Sequence, residues 1–147
     1  MDKNKIYLAQ TDTTVGFLSS DALKLSLLKK RNPNQKILQV VDSFATLKKN
    51  TRIPNKHKNR VRRSKATTYI YPKGFAFRVV GKDLKHYRFI QKFEMMYSTS
   101  ANETSKSFDF DFGYEGADII VFSDNDFYET SGSKILKITN THRTKIR

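Results

Sequence analysis

Short apolar runs recur along the chain, each closed by hydroxyl-bearing, amide or turn-forming residues. Ile6 to Ala9 is the first of them and predicts a strand. Ser19 or Ser20 is placed to cap a helix running to about Lys30, with Ala22, Leu23, Leu27 and Leu28 as its inner side. Asn32-Pro33-Asn34 breaks the chain, and Ile37 to Val41 predicts a second strand. Asp42 or Ser43 then caps a short helix containing Phe44, Ala45 and Leu47. Residues 48 to 65 are polar and basic around Pro54, a pattern that fits a short helix or a mobile loop. Thr67 to Tyr71 and Phe75 to Val80 predict two strands joined by Pro72-Lys73-Gly74, a hairpin signal. Asp83 is placed to cap a helix with Leu84, Tyr87, Phe89, Ile90 and Phe93 as its apolar set. Phe93 to Tyr97, Ala117 to Phe122 and Ile135 to Ile138 predict further strands. Residues 103 to 116, rich in Ser, Asp, Phe and Gly, predict an irregular loop in which Phe108, Phe110 and Phe112 alternate with acids. Strands and helices mix without strict alternation, so the expectation is α/β, with one twisted mixed sheet flanked by helices.

Composition bounds this picture. A chain of 147 residues suits a single domain spanning 1–147, and 11 Phe with 7 Tyr supply a core despite the polar average. The absence of Cys excludes disulfides and thiolate metal sites. The start reads as no signal segment and no apolar run reaches membrane-spanning length, so the expectation is a cytoplasmic protein with no membrane partner. The formal charge is 28 − 14 = +14, which points to a polyanionic partner. Its distribution is uneven. Residues 43 to 82 hold twelve Lys or Arg and no Asp or Glu, whereas residues 94 to 129 hold nine acids and one base, Lys106. A concave basic face opposite an acidic side is expected.

The candidate chemistry centres on Ser98-Thr99-Ser100-Ala101-Asn102, which follows an apolar stretch. Small side chains leave backbone N–H groups accessible, and the hydroxyls and amide add donors, as a phosphate-cradling loop requires. Thr11-Asp12-Thr13-Thr14-Val15-Gly16 ends the first strand, and Lys29-Lys30-Arg31 ends the first helix. Taken singly, these have plainer readings: a turn for Thr11 and Thr13, a dipole-favoured helix end for Lys29 and Arg31, and ordinary surface for Arg78. Asp12 reads as a cap or as a residue orienting Thr13. The three histidines, His57, His86 and His142, lie outside every motif and read as lone surface residues. Neither histidines nor carboxylates cluster at ligand spacings, so no resident metal is expected.

In order and spacing these segments resemble the YrdC-like family, the threonylcarbamoyl-AMP synthases. The family's opening Pro-Thr-Asp/Glu-Thr-Val-Tyr-Gly-Leu segment is met by Gln10-Thr11-Asp12-Thr13-Thr14-Val15-Gly16-Phe17, with Val15 where the family has tyrosine. Its Lys-x-Arg motif matches Lys29-Lys30-Arg31, and Thr68 stands for its Pro-Gly-Pro-x-Thr segment. Arg78-Val79-Val80 parallels an Arg-Val-Pro strand end, 98 to 102 match Ser-Thr-Ser-Ala-Asn in full, and Asp118 matches an Asp opening a later strand. Ser133 is what remains of a Ser-Thr pair, and Arg143 or Arg147 corresponds to a closing arginine. The chain is shorter than the usual family domain.

The resemblance implies synthesis of threonylcarbamoyl-AMP and pyrophosphate from L-threonine, bicarbonate and ATP, for modification of tRNA adenosine. It implies that Thr11, Thr13, Arg31 and Thr68 bind threonine and bicarbonate. Lys29, Arg78, Ser98, Thr99, Ser100, Asn102, Ser133 and Arg147 would bind ATP, with Lys29 and Arg31 central to catalysis. Mg2+ would arrive with ATP, and tRNA or tRNA-modifying proteins are possible partners. The alternative is a non-catalytic YrdC-like protein that binds RNA or nucleotide, which the basic charge supports as well. An unrelated α/β protein with chance motifs is the remaining reading.

Overall fold

Thr11 turns the chain sharply. Its hydroxyl donates to the Thr14 carbonyl at 2.6 Å and accepts the Thr13 and Thr14 N–H groups at 3.2 Å. The turn folds strand β1 (Tyr7–Gln10) back antiparallel onto β2 (Val15–Ser19), with Tyr7 opposite Leu18 and Gln10 opposite Val15. The sequence pattern hid β2, because every one of its residues is buried and no polar–apolar alternation marks it. The computed structural model describes residues 1–124 and 126–147.

Helix α1 (Ala22–Leu28) follows, capped by Asp21, whose Oδ1 accepts the Leu23 and Lys24 N–H groups. Ser19 is the last residue of β2, so neither Ser19 nor Ser20 is the cap. Leu25 and Ser26 therefore face the core, while Leu23 and Leu27, expected inside, are exposed. The helix ends in a Schellman turn: Arg31 N–H reaches the Ser26 carbonyl, Lys30 N–H reaches Leu27, and Lys30 takes the left-handed conformation at φ 51°. Strand β3 (Leu38–Val41) and helix α2 (Phe44–Asn50) come next, α2 capped by Ser43 as expected. The basic segment is helical, with a 3-10 turn at Asn55–His57 and α3 (Lys58–Arg63). Strands β4 (Thr67–Ile70) and β5 (Ala76–Val79) form the expected hairpin.

Helix α4 (Lys85–Ile90) has no side-chain cap; Asp83 instead faces Lys65 at 3.6 Å. Strand β6 (Met95–Ser100) takes in the hydroxyl residues themselves. Residues 110–116 are helix α5 (Phe110–Gly116) rather than loop. Asp109 Oδ1 caps it by accepting the Asp111 and Phe112 N–H groups. Within α5 Phe112 turns inward and Phe110 outward, and Phe108, just before the cap, packs on the same inner cluster. Strands β7 (Ile119–Val121), β8 (Lys134–Ile138) and β9 (Arg143–Lys145) complete the chain; β9 had no apolar signal because all its residues are exposed.

Among the described residues nine strands form one mixed sheet in the order β7-β1-β2-β6-β3-β5-β4-β8-β9. Parallel pairs are β1–β7, β3–β5 and β4–β8, and the other pairs are antiparallel. Tyr7, Leu18, Val40 and Met96 pack under α4 with Phe89 and Ile90, while Leu8, Phe17 and Leu25 form a separate cluster joined by Phe112. A third cluster gathers Val41, Leu47, Tyr69, Phe77 and Ile138. His57 and His86, read from the sequence as surface residues, are both 5% exposed, because α4 and the 3-10 turn carry them inward.

Candidate functional site

A cavity of about 480 Å³ lies where the β1–β2 turn meets β6, the approach to β3, and strands β5, β4 and β8. The turn contributes Thr11 and Thr13; β6 and its exit contribute Ser98, Thr99, Ser100 and Asn102. Arg31 enters from the end of α1, Thr68 and Arg78 from the hairpin, and Ser133 and Arg147 from the C-terminal strands. Residues scattered over most of the chain thus share one cavity. Of the residues nominated from sequence, Lys29, Asp118 and the alternative closing arginine Arg143 are outside the lining; Asp118 Oδ2 instead accepts the Ile6 N–H at 2.8 Å.

Several local assignments change. Ser98 to Ser100 belong to β6, a central strand paired with both β2 and β3, with Ser98 between Leu18 and Leu38. Ala101 N–H is taken by the Val15 carbonyl at 2.9 Å. The expected loop of free N–H groups is therefore not formed there, and side-chain hydroxyls supply the donors. Gly16 lines the same cavity; a Cβ there would stand 3.0 Å from the Thr11 methyl and 3.1 Å from the Thr99 carbonyl, so a side chain would crowd the turn where it rests against β6.

Lys29, expected at a dipole-favoured helix end, is buried. Its Nζ donates to the Ser100 carbonyl at 3.0 Å, to Asn102 Oδ1 at 3.1 Å and to the Asn102 carbonyl. It ties the end of α1 to the exit of β6. Burial, with the Arg31 charge nearby, pushes its pKa down to about 8, opposed by Glu103. Arg31 lies two residues further on, half-buried and facing the cavity.

Arg78 is not plain surface. Its Nη2 lies 2.9 Å from Asp12 Oδ1, and both side chains are almost wholly buried. Burial lowers the Arg78 pKa, against the opposing pull of Asp12. Among the described residues, Asp12 Oδ2, Arg78 Nε and both ring nitrogens of His86 have no hydrogen-bond partner. Burial first, and the Arg78 charge second, push His86 down to about 3, so it is neutral at physiological pH. On the far wall the Thr68 and Ser133 hydroxyls are 2.8 Å apart, and Arg147 Nε donates to the Ser133 carbonyl at 3.0 Å. Sequence reasoning missed the Asp12–Arg78 pair, and also Lys36 and Glu129, which line the cavity. The only advance signal was an acid inside the Thr-Asp-Thr segment. Among the described residues no group of three or more His, Cys, Asp or Glu is arranged to hold a metal.

No protein-family model matches the chain, and no curated protein matches it significantly by sequence. Solved structures do match in fold. The solution structure of the MTH1692 protein from Methanobacterium thermoautotrophicum superposes with a TM-score of 0.71 at 17% identity, covering 98% of this chain and 80% of that one. The crystal structure of P. abyssi Sua5 complexed with L-threonine gives 0.76 at 16% identity, over 98% of this chain and 50% of Sua5. E. coli YciO gives 0.77 at 10% identity, over 99% and 83%. The chain spans about half the length of Sua5. At these identities the likeness is one of fold, and the architecture is the YrdC-like one that the motifs anticipated.

Proposed function

We propose that the chain is a compact threonylcarbamoyl-AMP synthase, acting on L-threonine, bicarbonate and ATP in this cavity. The observation that carries the reading is the gathering of Thr13, Arg31, Thr68, Ser98, Asn102, Ser133 and Arg147, far apart in sequence, around one cavity. Sua5, similar in fold, is a protein whose structure holds L-threonine. In the reaction the threonine amine attacks the bicarbonate carbon, a C–N bond forms and water leaves. A carbamate oxygen then attacks the α-phosphorus, and the bond to pyrophosphate breaks. No side-chain nucleophile is required; positioning and charge stabilisation suffice.

The geometry refines the roles. The Thr11 hydroxyl is committed to the turn, so Thr11 positions Thr13, whose hydroxyl lies 3.3 Å from it, toward threonine. Arg31, with its planar fork, holds the carbamate carboxylate or a phosphate. Ser98, Thr99, Ser100 and Asn102 meet the phosphates, Thr68 with Ser133 lines the opposite wall, and Arg147 closes over the nucleotide. Lys29 is a positioning residue for Asn102, and Arg78 for the Asp12 turn. Magnesium would come with the triphosphate. The product would be passed to tRNA or to tRNA-modifying proteins.

The test is pyrophosphate release with ATP, magnesium and bicarbonate, with and without L-threonine. Threonine-dependent release is expected, falling about a hundredfold in Arg31→Ala, the order lost with a single charge-stabilising donor. A folded protein that releases none overturns the synthase reading. A second reading, nucleotide binding without catalysis, is favoured by one observation: the Lys29 and Arg78 cations are turned to partners within the protein. ATP binding without threonine-dependent release would select it.

A further inference from the structure

A second concavity, of about 680 Å³, lies between the C-terminal end of α2 and the β4–β5 turn. Lys48, Lys49, Arg52 and Lys73 line it, together with Phe75. All five are exposed, and Phe75 keeps 41% of its surface accessible. Among the described residues none of the four cations forms an ion pair. The segment that supplies them, 43 to 82, contains no acid. Lys48 and Lys49 suit the last turn of α2, but Arg52 and Lys73 lie on no helix and still converge on the same hollow.

The groove is built against the first cavity. Lys36, which lines that cavity, donates from Nζ to the Lys73 carbonyl at 2.6 Å and sits 4.2 Å from the centre of the Phe75 ring. Gly74, at φ +84°, makes the tight turn that brings Lys73 and Phe75 together there. Lys48 and Arg62 both rest on the Phe44 ring, so the basic side chains beside the groove are held by cation–π contacts.

We infer that this groove docks a single-stranded segment of a folded RNA, its phosphates on Lys48, Lys49, Arg52 and Lys73 and a base against Phe75. Convergent cations around an accessible aromatic are what single-stranded nucleic acid requires. A membrane surface would instead call for a flat or convex basic patch with several apolar anchors. The groove is separate from the residues assigned to threonine and ATP, and binding is read without either, so this inference and the synthase reading fail independently.

The probe is a fluorescently labelled, unmodified tRNA transcript, titrated with the full chain from 50 to 300 mM KCl. The quadruple variant K48E/K49E/R52E/K73E is expected to bind at least tenfold more weakly at 100 mM. Its slope of log affinity against log salt should be shallower by roughly 3, four phosphate contacts at about 0.7 each. Phe75→Ala should lose about fivefold or more with the slope unchanged, the order of one base stack. Thermal melting establishes that each variant is folded, and the neutralising variant K48A/K49A/R52A serves if the charge reversals are not. Unchanged tRNA affinity and slope in a folded variant would overturn the inference. So would equal affinity for duplex DNA of the same length, or binding to vesicles containing 30% phosphatidylserine without binding to tRNA.

Discussion

Asp12, Arg78 and His86 show how a single buried charge sets its neighbours. Among the described residues Arg78 is held by Asp12, in surroundings whose burial disfavours its charge. Removing one partner leaves the other buried and uncompensated, so Asp12→Ala should cost about 3–5 kcal/mol in denaturant unfolding. The double variant Asp12→Ala with Arg78→Met should recover much of that loss, and a double-mutant cycle measures the coupling. His86 gives a pH dependence. Its folded pKa is depressed to about 3 from an ordinary 6.5, so between these values the unfolded chain binds more protons. Its contribution is whole above pH 6.5 and is lost as pH falls toward about 3. Between pH 7 and pH 4 that is on the order of 3 kcal/mol, at about 1.4 kcal/mol per pH unit below 6.5. His86→Leu should flatten this acid limb in urea titrations at the two pH values; an unaltered limb would count against a buried neutral imidazole.

At the level of elements, the ends of the short helices decide where the site residues point. Helix α1 closes in a Schellman turn with Lys30 left-handed, a conformation costing roughly 1–2 kcal/mol for a residue with a Cβ. Lys30→Gly should raise stability by about 0.5–1 kcal/mol, seen as a higher melting temperature, while leaving Lys29 and Arg31 in place. Helix α5 has only seven residues and leans on its cap. Asp109→Ala should cost about 1 kcal/mol and loosen the contact of Phe112 with Phe17. Amide exchange across 110–116 reads this directly. Arg31, just after α1, and Phe108, just before the α5 cap, line the cavity, so capping here bears on function as well as stability.

Across the whole molecule, charge is separated along the chain, with an acid-free segment at 43–82 and an acid-rich one at 94–129. The first forms α2, α3 and the β4–β5 hairpin; the second forms β6, α5 and β7. Binding of any polyanion to the first should weaken steeply with salt, whereas threonine-dependent turnover inside the cavity should be far less sensitive up to 300 mM KCl. A parallel salt dependence of turnover and tRNA affinity would mean that the two surfaces are not separate. No described helix is long and apolar enough to cross a membrane.

Local information was enough for much of this protein. The β4–β5 hairpin, the Ser43 cap of α2, the mixed sheet and the ordered Thr-, Lys-x-Arg- and Ser-Thr-Ser-Ala-Asn segments were legible, because turn chemistry, capping and small-residue runs act over a few neighbouring residues. Strand β2 was not, since a strand buried on both faces loses its alternation. Helix α5 was hidden by its Asp, Phe and Gly content, and the inner face of α1 shifted with its cap. The burial of His86 and of the Asp12–Arg78 pair, the turning of Lys29 toward carbonyls of the β6 exit, and the meeting of Arg31 with Ser133 and Arg147 depend on distant segments. Residue type and spacing determined which groups could bind anions. Only the tertiary structure decided which of them face the cavity, because that depends on the partners the sheet brings within bonding distance.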